Sequence, residues 1–305
     1  MWLILAFLSA ALLGCYDSFK KQALKQNAVI PVLTLNTLFS SLFFLPFIIL
    51  SAAGLLSDNH ILHVASGGWE AHKYIVLKAV IVLSSWVLGY FGMKHLPLTI
   101  VGPINATRPV MVLVGALLVF GERLNGWQWL GVLLAVASFL LLSRSGKKEG
   151  IDFKHDHWIY MIVGAAALGA LSGLYDKYLM APADEGGVGL DRMMVQSWYN
   201  IYQFFMMSIM LLLLWWPKHK ETTPFHWSWS ILGVSLFLSI ADFMYFYSLS
   251  LPSAMISIVS MIRRGSVVVS FLFGALFFHE KNLKAKAFDL ALVLLGMIFL
   301  YIGSR

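Results

Sequence analysis

Ten long hydrophobic stretches follow one another along the chain, separated by short polar or mixed segments. None alternates apolar and polar residues as a half-buried strand would, and each approaches the roughly 20 residues that a helix needs to cross a bilayer. Because hydrocarbon forces the backbone to satisfy its hydrogen bonds internally, such stretches are typical of membrane-spanning helices. The pattern predicts spans at 2–23, 29–56, 74–93, 97–120, 126–143, 158–180, 192–216, 227–249, 252–278 and 285–303.

The composition agrees with this pattern. Hydrophobic residues make up 59% of the 305 positions and charged residues only 12%, whereas soluble domains carry roughly a quarter charged residues. We therefore expect an integral, multi-pass membrane protein, with the lipid bilayer as its surroundings. The net charge of +7 is spread over the predicted loops, so no nucleic-acid partner is expected.

One markedly polar segment, "SRSGKKEGIDFKHDH" (143–157), divides the spans into five and five. The two halves share motifs in the same order: "GCYDSF" matches "GLYDKY", "SSWVLGYFGMKHLPLT" matches "SIADFMYFYSLSLPSA", and "VGALLVFGERL" matches "FGALFFHEKNL". We predict a first five-helix repeat at 1–145, a polar linker at 146–157 and a second repeat at 158–305. Since five is odd, the repeats would lie inverted in the membrane, an arrangement typical of transporters with a midplane substrate site.

The duplicated plan resembles the drug/metabolite transporter superfamily, and within it the EamA-like transporter family. The resemblance is carried by the small-residue-rich first spans, by Pro97 and Pro252 at the entries to spans 4 and 9, and by "GERLNGWQWLGVLLAVASFLLL" with its degenerate partner "HEKNLKAKAFDLALVLLGMIFL". It implies an all-α protein of ten transmembrane helices in two inverted repeats, and a secondary transporter of small metabolites. It also implies that both termini are cytoplasmic. The Lys and Arg residues of the loops predict the opposite orientation, because they are more numerous on the side away from the termini.

Four charged residues fall near the middle of predicted spans: Arg108 in span 4, Asp242 in span 8, and Arg263 and Arg264 in span 9. Charges at this depth are costly, so they face the bundle interior, form pairs or line water. The repeat alignment sets Arg108 opposite Arg263, and one carboxylate cannot neutralise three cations. We expect Arg108 and Arg263 to flank an anionic group, with Asp242 holding Arg264. The alternative is that Asp242 pairs with either arginine of span 9 and only locks spans 8 and 9 together.

Other polar residues are candidates around this centre. Asn105 precedes Arg108 by one turn and could orient its guanidinium, while Tyr245, Tyr16 and Tyr175 could hydrogen-bond substrate or belong to helix interfaces and membrane-surface belts. Charged pairs near the span ends could act as gates or simply snorkel to the headgroups. These are Asp17 with Lys20 and Lys21, and Asp176 with Lys177.

Two glycines of span 6, Gly169 and Gly173, form a small-residue face, for which close helix packing is the first interpretation and close approach of substrate the second.

A secondary transporter of a small anionic or zwitterionic metabolite fits best, with coupling to protons through Asp242 as an additional hypothesis. A flippase for a charged lipid is the alternative, because the same arginines could hold a headgroup. A membrane enzyme is disfavoured, since no nucleophile–base pair is evident. The histidines of "DFKHDH" lack partner ligands of fixed geometry, so we expect neither a metal site nor a cofactor.

Overall fold

The computed structural model describes residues 2–108, 110–111, 125–147, 153–183, 186–251, 259, 262–278 and 283–303. Every regular element within these residues is helical. In the first half they are α1 (Trp2–Ala23), α2 (Val29–Ala52), α3 (Trp69–His95), α4 (Leu98–Ala106) and α5 (Gly126–Lys147). In the second half they are α6 (His157–Met180), α7 (Arg192–Met210), α8 (Trp229–Ser250), α9 (Ser266–Leu276) and α10 (Leu283–Gly303).

Local sequence explains several helix boundaries. Pro97 is the N-cap of α4, and Leu96 before it is extended, because a residue that precedes proline is disfavoured in the α region. Asp191 caps α7 by accepting a hydrogen bond from the Met194 N–H. Ser228 caps α8 in the same way by accepting a hydrogen bond from the Ser230 N–H. Helices α7 and α8 therefore both begin at side-chain caps. A π-helical turn (Leu211–Trp215) and a 3₁₀ turn (Trp216–Lys218) extend α7.

Seven helices in the described part of the chain are long and apolar enough to cross a membrane. They correspond to predicted spans 1, 2, 3, 6, 7, 8 and 10. The remaining predicted spans, at 97–120, 126–143 and 252–278, contain α4, α5 and α9, of which the structure describes shorter apolar stretches. Parts of spans 4 and 9 lie outside the described residues. The all-helical membrane fold is therefore confirmed, whereas ten spans in two inverted repeats stays a prediction.

The helices pack mainly across the boundary between the predicted halves. Extensive contacts join α1 to α8, α3 to α6, α2 to α7, α5 to α10 and α4 to α9. If each helix is exchanged for its counterpart in the other half, the pair α1–α8 becomes α6–α3. The pairs α2–α7, α5–α10 and α4–α9 each remain the same pair. Helix contact is reinforced by buried hydroxyls that donate to carbonyls of a facing helix, such as Ser9 to Ala241 (2.7 Å) and Ser85 to Ala165 (2.7 Å).

Polarity is distributed as a bilayer requires. The exposed side chains of the helices include many large apolar residues, such as Ile4, Phe7, Leu213 and Leu272. Lysines, aspartates and amides are instead found among the buried side chains. Hydrocarbon can solvate the apolar surface but not the charges, so the polar groups are turned inward. Because the polar groups face inward, charged residues of several helices come together in one interior site.

Candidate functional site

The predicted midplane charges meet in a single cavity of about 160 Å³ between the two halves. Helices α1, α3, α4, α6, α7, α8 and α9 contribute to its wall, together with the short helical segment 262–264. Its charged lining consists of five cations and three carboxylates, namely Lys20, Lys78, Arg108, Arg263, Arg264, Asp17, Asp176 and Asp242. The sequence pattern put four of these eight residues, the three arginines and Asp242, near the middle of their spans, and the tertiary structure determines which of the eight pair.

The first pair lies on α1. Asp17 Oδ1 is 3.1 Å from Lys20 Nζ, and the other carboxylate oxygen accepts a hydrogen bond from Ser270 on α9 (3.2 Å). Lys20 Nζ also donates to the Tyr16 hydroxyl (3.3 Å) and lies over the rings of Tyr16 and Tyr90. The predicted Asp17–Lys20 pair is thus present. Both carboxylate oxygens have protein partners, and Lys20 is the one cation that forms an ion pair with Asp17 among the described residues.

Lys21, the other lysine of the predicted α1 cluster, is directed elsewhere. Its ammonium donates to the carbonyl oxygens of Met93 (2.7 Å) and Leu96 (2.5 Å) at the end of α3. Adjacent residues on a helix point about 100° apart, so Lys21 leaves the cavity when Lys20 faces it. Lys21 therefore joins α1 to α3 and caps carbonyls that the helix end leaves unpaired.

The second pair was not foreseen. Asp176 on α6 is bound to Lys78 on α3 by a hydrogen-bonded ion pair, and both side chains are less than a tenth exposed. The Lys78 ammonium also lies over the rings of Tyr199 (5.1 Å) and Phe246 (5.5 Å). The predicted partner of Asp176, Lys177, has a side chain outside the described part of the structure. Lys78 stands in the apolar run "YIVLKAVIVL", and the sequence pattern gave it no predicted partner.

The third pair corrects the prediction for span 9. Asp242 on α8 is bound to Arg263, not to Arg264. The second carboxylate oxygen of Asp242 accepts a hydrogen bond from the Tyr199 hydroxyl (2.9 Å), and the Arg263 guanidinium lies 4.1 Å from the ring centre of Tyr245. Because the two arginines diverge by about 100° on one helix, only the one directed toward α8 reaches the carboxylate. The expectation that Asp242 holds Arg264 was wrong.

Arg108 on the other side of the cavity has no carboxylate partner among the described residues. Its Nη2 donates to Asn105 Oδ1 (2.9 Å), as the one-turn spacing predicted. Its Nε is buried without a hydrogen-bond partner. The guanidinium packs on α6 where a side chain is missing: a Cβ at Gly169 would lie 2.7 Å from Arg108 Cζ.

Gly173, one turn further along α6, has no atom within 4 Å of its hypothetical Cβ and lines the cavity. Gly173 therefore faces the cavity and is not a close-packing position. At Gly169 the missing side chain admits the Arg108 guanidinium, so close helix packing, the first interpretation, stays a prediction there.

Arg264 is the second cation of the cavity without a carboxylate partner among the described residues. Within the same part of the chain it forms no ion pair or hydrogen bond; Arg108 and Arg263 repel it, whereas Asp17 attracts it without forming an ion pair. The cations of the three pairs lie over aromatic rings, an additional stabilisation that Arg108 and Arg264 lack in the part of the chain that is described. Among the described residues the cavity therefore holds three ion pairs and two arginines without a carboxylate partner, one from each half.

Sequence reasoning missed Lys78, Tyr199 and the exchange of roles between the arginines of span 9. A signal for Tyr199 exists, because "QSWYNIYQ" repeats polar residues with the helical period that marks one face. Tyr175 does not join the other predicted site residues: its hydroxyl donates to the Tyr74 carbonyl (3.3 Å), and it is not among the described residues that line the cavity. Ser260 precedes Arg263 and Arg264 by one turn in the sequence and could orient them, but it lies outside the described residues.

Comparison with known proteins agrees with this architecture. Residues 1–144 match the model of the EamA-like transporter family, within the drug/metabolite transporter superfamily, which confirms the resemblance over that part of the chain. A solved crystal structure superposes with a TM-score of 0.64 over 98% of this chain and 97% of the other, at 15% sequence identity, and so shares the fold. The search of curated sequences found no match. The chain is a multi-pass membrane protein whose first half matches a transporter family.

Proposed function

Proceeding from the match of its first half to the EamA-like transporters, we propose that the protein is a secondary active transporter of a small anionic or zwitterionic metabolite. The observation that carries this proposal is the cavity's charge: five cations face three carboxylates. Uncompensated buried charge is unfavourable, and guanidinium groups present forked donors that match carboxylate or phosphate oxygens. The substrate supplies the missing negative charge.

The two uncompensated arginines define the binding position. Arg108 and Arg264 come from different halves of the chain and line the same cavity, so an anion held by both would lie between the halves. This replaces the pair Arg108 and Arg263, because Asp242 already neutralises Arg263. Arg263, Asp242, Tyr245 and Asn105 then shape the site and orient the arginines, and Tyr16 adds a hydroxyl to its wall.

Alternating access follows from two inverted repeats, at 1–145 and 158–305, joined by a linker. Support comes from the helix pairings, which are preserved when the halves are exchanged. The inverted arrangement would place the site near the midplane of a bacterial inner membrane and let one half rock against the other.

The charged pairs at the two ends of the cavity are proposed as gates. Asp17 and Lys20 lie in the last turns of α1, whereas Asp176 lies in the last turns of α6. If the helices alternate in direction, these ends face opposite membrane surfaces, and each pair would break when its mouth opens. Lys78 takes the role that had been expected of Lys177. Charge-neutral Asp17→Asn and Asp176→Asn variants that transport at the wild-type rate would exclude gating.

Coupling to protons through Asp242 is a further part of the proposal. Protonation of this carboxyl would remove the charge that holds Arg263 and would change the charge balance of the cavity. Uptake into proteoliposomes with and without a pH gradient tests the coupling, and transport indifferent to the gradient excludes it.

The function itself is tested with the purified full-length protein. A thermal-stabilisation screen across carboxylates, amino acids, sugar phosphates and nucleotides should find anions that raise the melting temperature, and counterflow of a hit in proteoliposomes should follow. Scrambling of a labelled anionic lipid without counterflow of any soluble anion would instead identify a flippase. An absence of both activities, with no stabilising anion, would contradict the proposal.

A further inference from the structure

The unbalanced charge of the cavity can be counted, and the count indicates more about the ligand than a general preference for anions. Asp17, Asp176 and Asp242 are each bound to a lysine or arginine of the same cavity. These pairs account for Lys20, Lys78 and Arg263. Arg108 and Arg264 remain, so the described lining has an excess of two positive charges.

Among the described residues, no further carboxylate lines the cavity. The Asp17 oxygens are occupied by Lys20 and Ser270, and those of Asp242 by Arg263 and Tyr199. Arg108 donates to a neutral amide, that of Asn105, while its buried Nε has no acceptor. Each arginine therefore offers donors to a ligand, and neither has a carboxylate of its own within the described residues.

Two guanidinium groups in one small space repel each other, and a ligand with one charge would leave half of the imbalance. We infer that the site selects a compact dianion, such as a phosphate monoester or a short dicarboxylate, held by Arg108 and Arg264 together. This inference rests on the proposed transport function. It goes beyond that function by assigning the charge of the substrate.

The dimensions agree with a compact ligand. The cavity of about 160 Å³ is smaller than the roughly 300–1,000 Å³ of sites for drug-sized molecules. Bidentate donation from an arginine fork suits the planar or tetrahedral oxygens of carboxylate and phosphate groups. A dianion bridging both forks would also join the two halves of the chain, because Arg108 and Arg264 lie on opposite sides of the polar linker.

Ligand pairs that differ by one charge test the inference. Affinity of the purified protein is measured for glycerol phosphate and for its methyl phosphodiester, and for succinate and its monomethyl ester, at pH 7.5. We expect the dianion of each pair to bind at least tenfold more tightly. A phosphate monoester gains its second charge above about pH 6, so its affinity should rise between pH 5 and pH 7 more than that of the diester.

Variants identify the groups responsible. Arg264→Gln reduces the excess to one charge, so the preference for dianions should fall at least tenfold, whereas Arg264→Lys should retain much of it. Lys73→Gln is the matched control, because Lys73 is paired with Glu70 near the start of α3 and is not among the cavity-lining residues. If Arg264→Gln does not fold, the wild-type ligand pairs still decide the question. Equal affinity for monoanions and dianions would overturn this inference alone, whereas binding of no anion at all would overturn the transport proposal.

Discussion

Lys78 on α3 and Asp176 on α6 form a buried ion pair that joins the two halves of the chain. The side chains are 3% and 9% exposed, and aromatic rings of Tyr199 and Phe246 cover the ammonium. The pair brings an aspartate predicted to sit near a membrane surface into the central cavity. It also stabilises the contact between α3 and α6. Exchanging the two halves turns this contact into the one between α8 and α1.

Removing one member of this pair should destabilise the protein strongly. Lys78→Met leaves the Asp176 carboxylate buried and unpaired, which costs about 3–5 kcal/mol. The double variant Lys78→Met with Asp176→Leu removes both charges and should recover most of that loss. Thermal unfolding of the two variants in detergent measures the difference. A double variant no more stable than the single one would show that the ion pair is not what supports this contact.

Arg263 and Arg264 are adjacent and should behave oppositely. Arg263→Gln breaks the pair with Asp242, so the melting temperature should fall by an amount equivalent to about 3–5 kcal/mol. Arg264→Gln removes a half-buried charge that has no carboxylate partner among the described residues, so without ligand the stability should be unchanged or higher. Anion-induced stabilisation should be lost only in the second variant if that variant retains its fold.

Two results of the same melting experiments would contradict this prediction. Equal loss of stability in both variants would mean that Arg264 has a structural partner of its own. Full retention of anion binding in Arg264→Gln would remove this arginine from the site.

Gly169→Ala should weaken anion binding without a comparable loss of stability. The new methyl group would lie 2.7 Å from Arg108 Cζ and Nη1, so the guanidinium must move away from its position beside Asn105. We expect affinity to fall about tenfold, which corresponds to about 1.4 kcal/mol.

Gly173→Ala is the matched control for that substitution, because nothing lies within 4 Å of its new methyl group. It should bind anions nearly as the wild type does and be more stable by about 0.5–1 kcal/mol, as glycine is unfavourable inside a helix. If the two variants bound anions equally well, the placement of Arg108 would not depend on Gly169.

Two buried amides should be replaceable by apolar residues with a gain in stability. Asn36 on α2 and Gln203 on α7 are fully buried, and their side-chain nitrogen and oxygen atoms form no hydrogen bond with the described residues. Since a buried unsatisfied polar group costs about 1–3 kcal/mol, Asn36→Leu and Gln203→Leu should each raise the melting temperature.

Asn200 provides the comparison for this prediction. It is also buried on α7, but its amide donates to the Gln196 carbonyl (2.8 Å), so Asn200→Leu should lower stability. A fall for all three variants would contradict the prediction. A rise in stability with loss of transport would indicate that the amides serve function at a cost in stability.

Much of this molecule follows from the sequence, and each success has a local cause. The uninterrupted apolar stretches predict membrane helices because hydrocarbon leaves the backbone no other partner. The Asp17–Lys20 pair and the Asn105–Arg108 hydrogen bond lie within single helical turns, so residue spacing alone predicts them. The interior position of Arg108 and Asp242 follows from the cost of charge in lipid.

The partners contributed by other helices required the tertiary structure. Whether Asp242 meets Arg263 or Arg264 depends on the rotation of two helices about their own axes, and sequence spacing gives no information about that rotation. The same is true of Lys78, whose distance from the span end allows either snorkelling to the headgroups or an inward pair with Asp176. The sequence by itself determined a helical membrane protein with more buried cations than carboxylates. Only the packing of the helices decided that Arg108 and Arg264 are the two cations left uncompensated, because each carboxylate neutralises the cation that the helix geometry brings within reach.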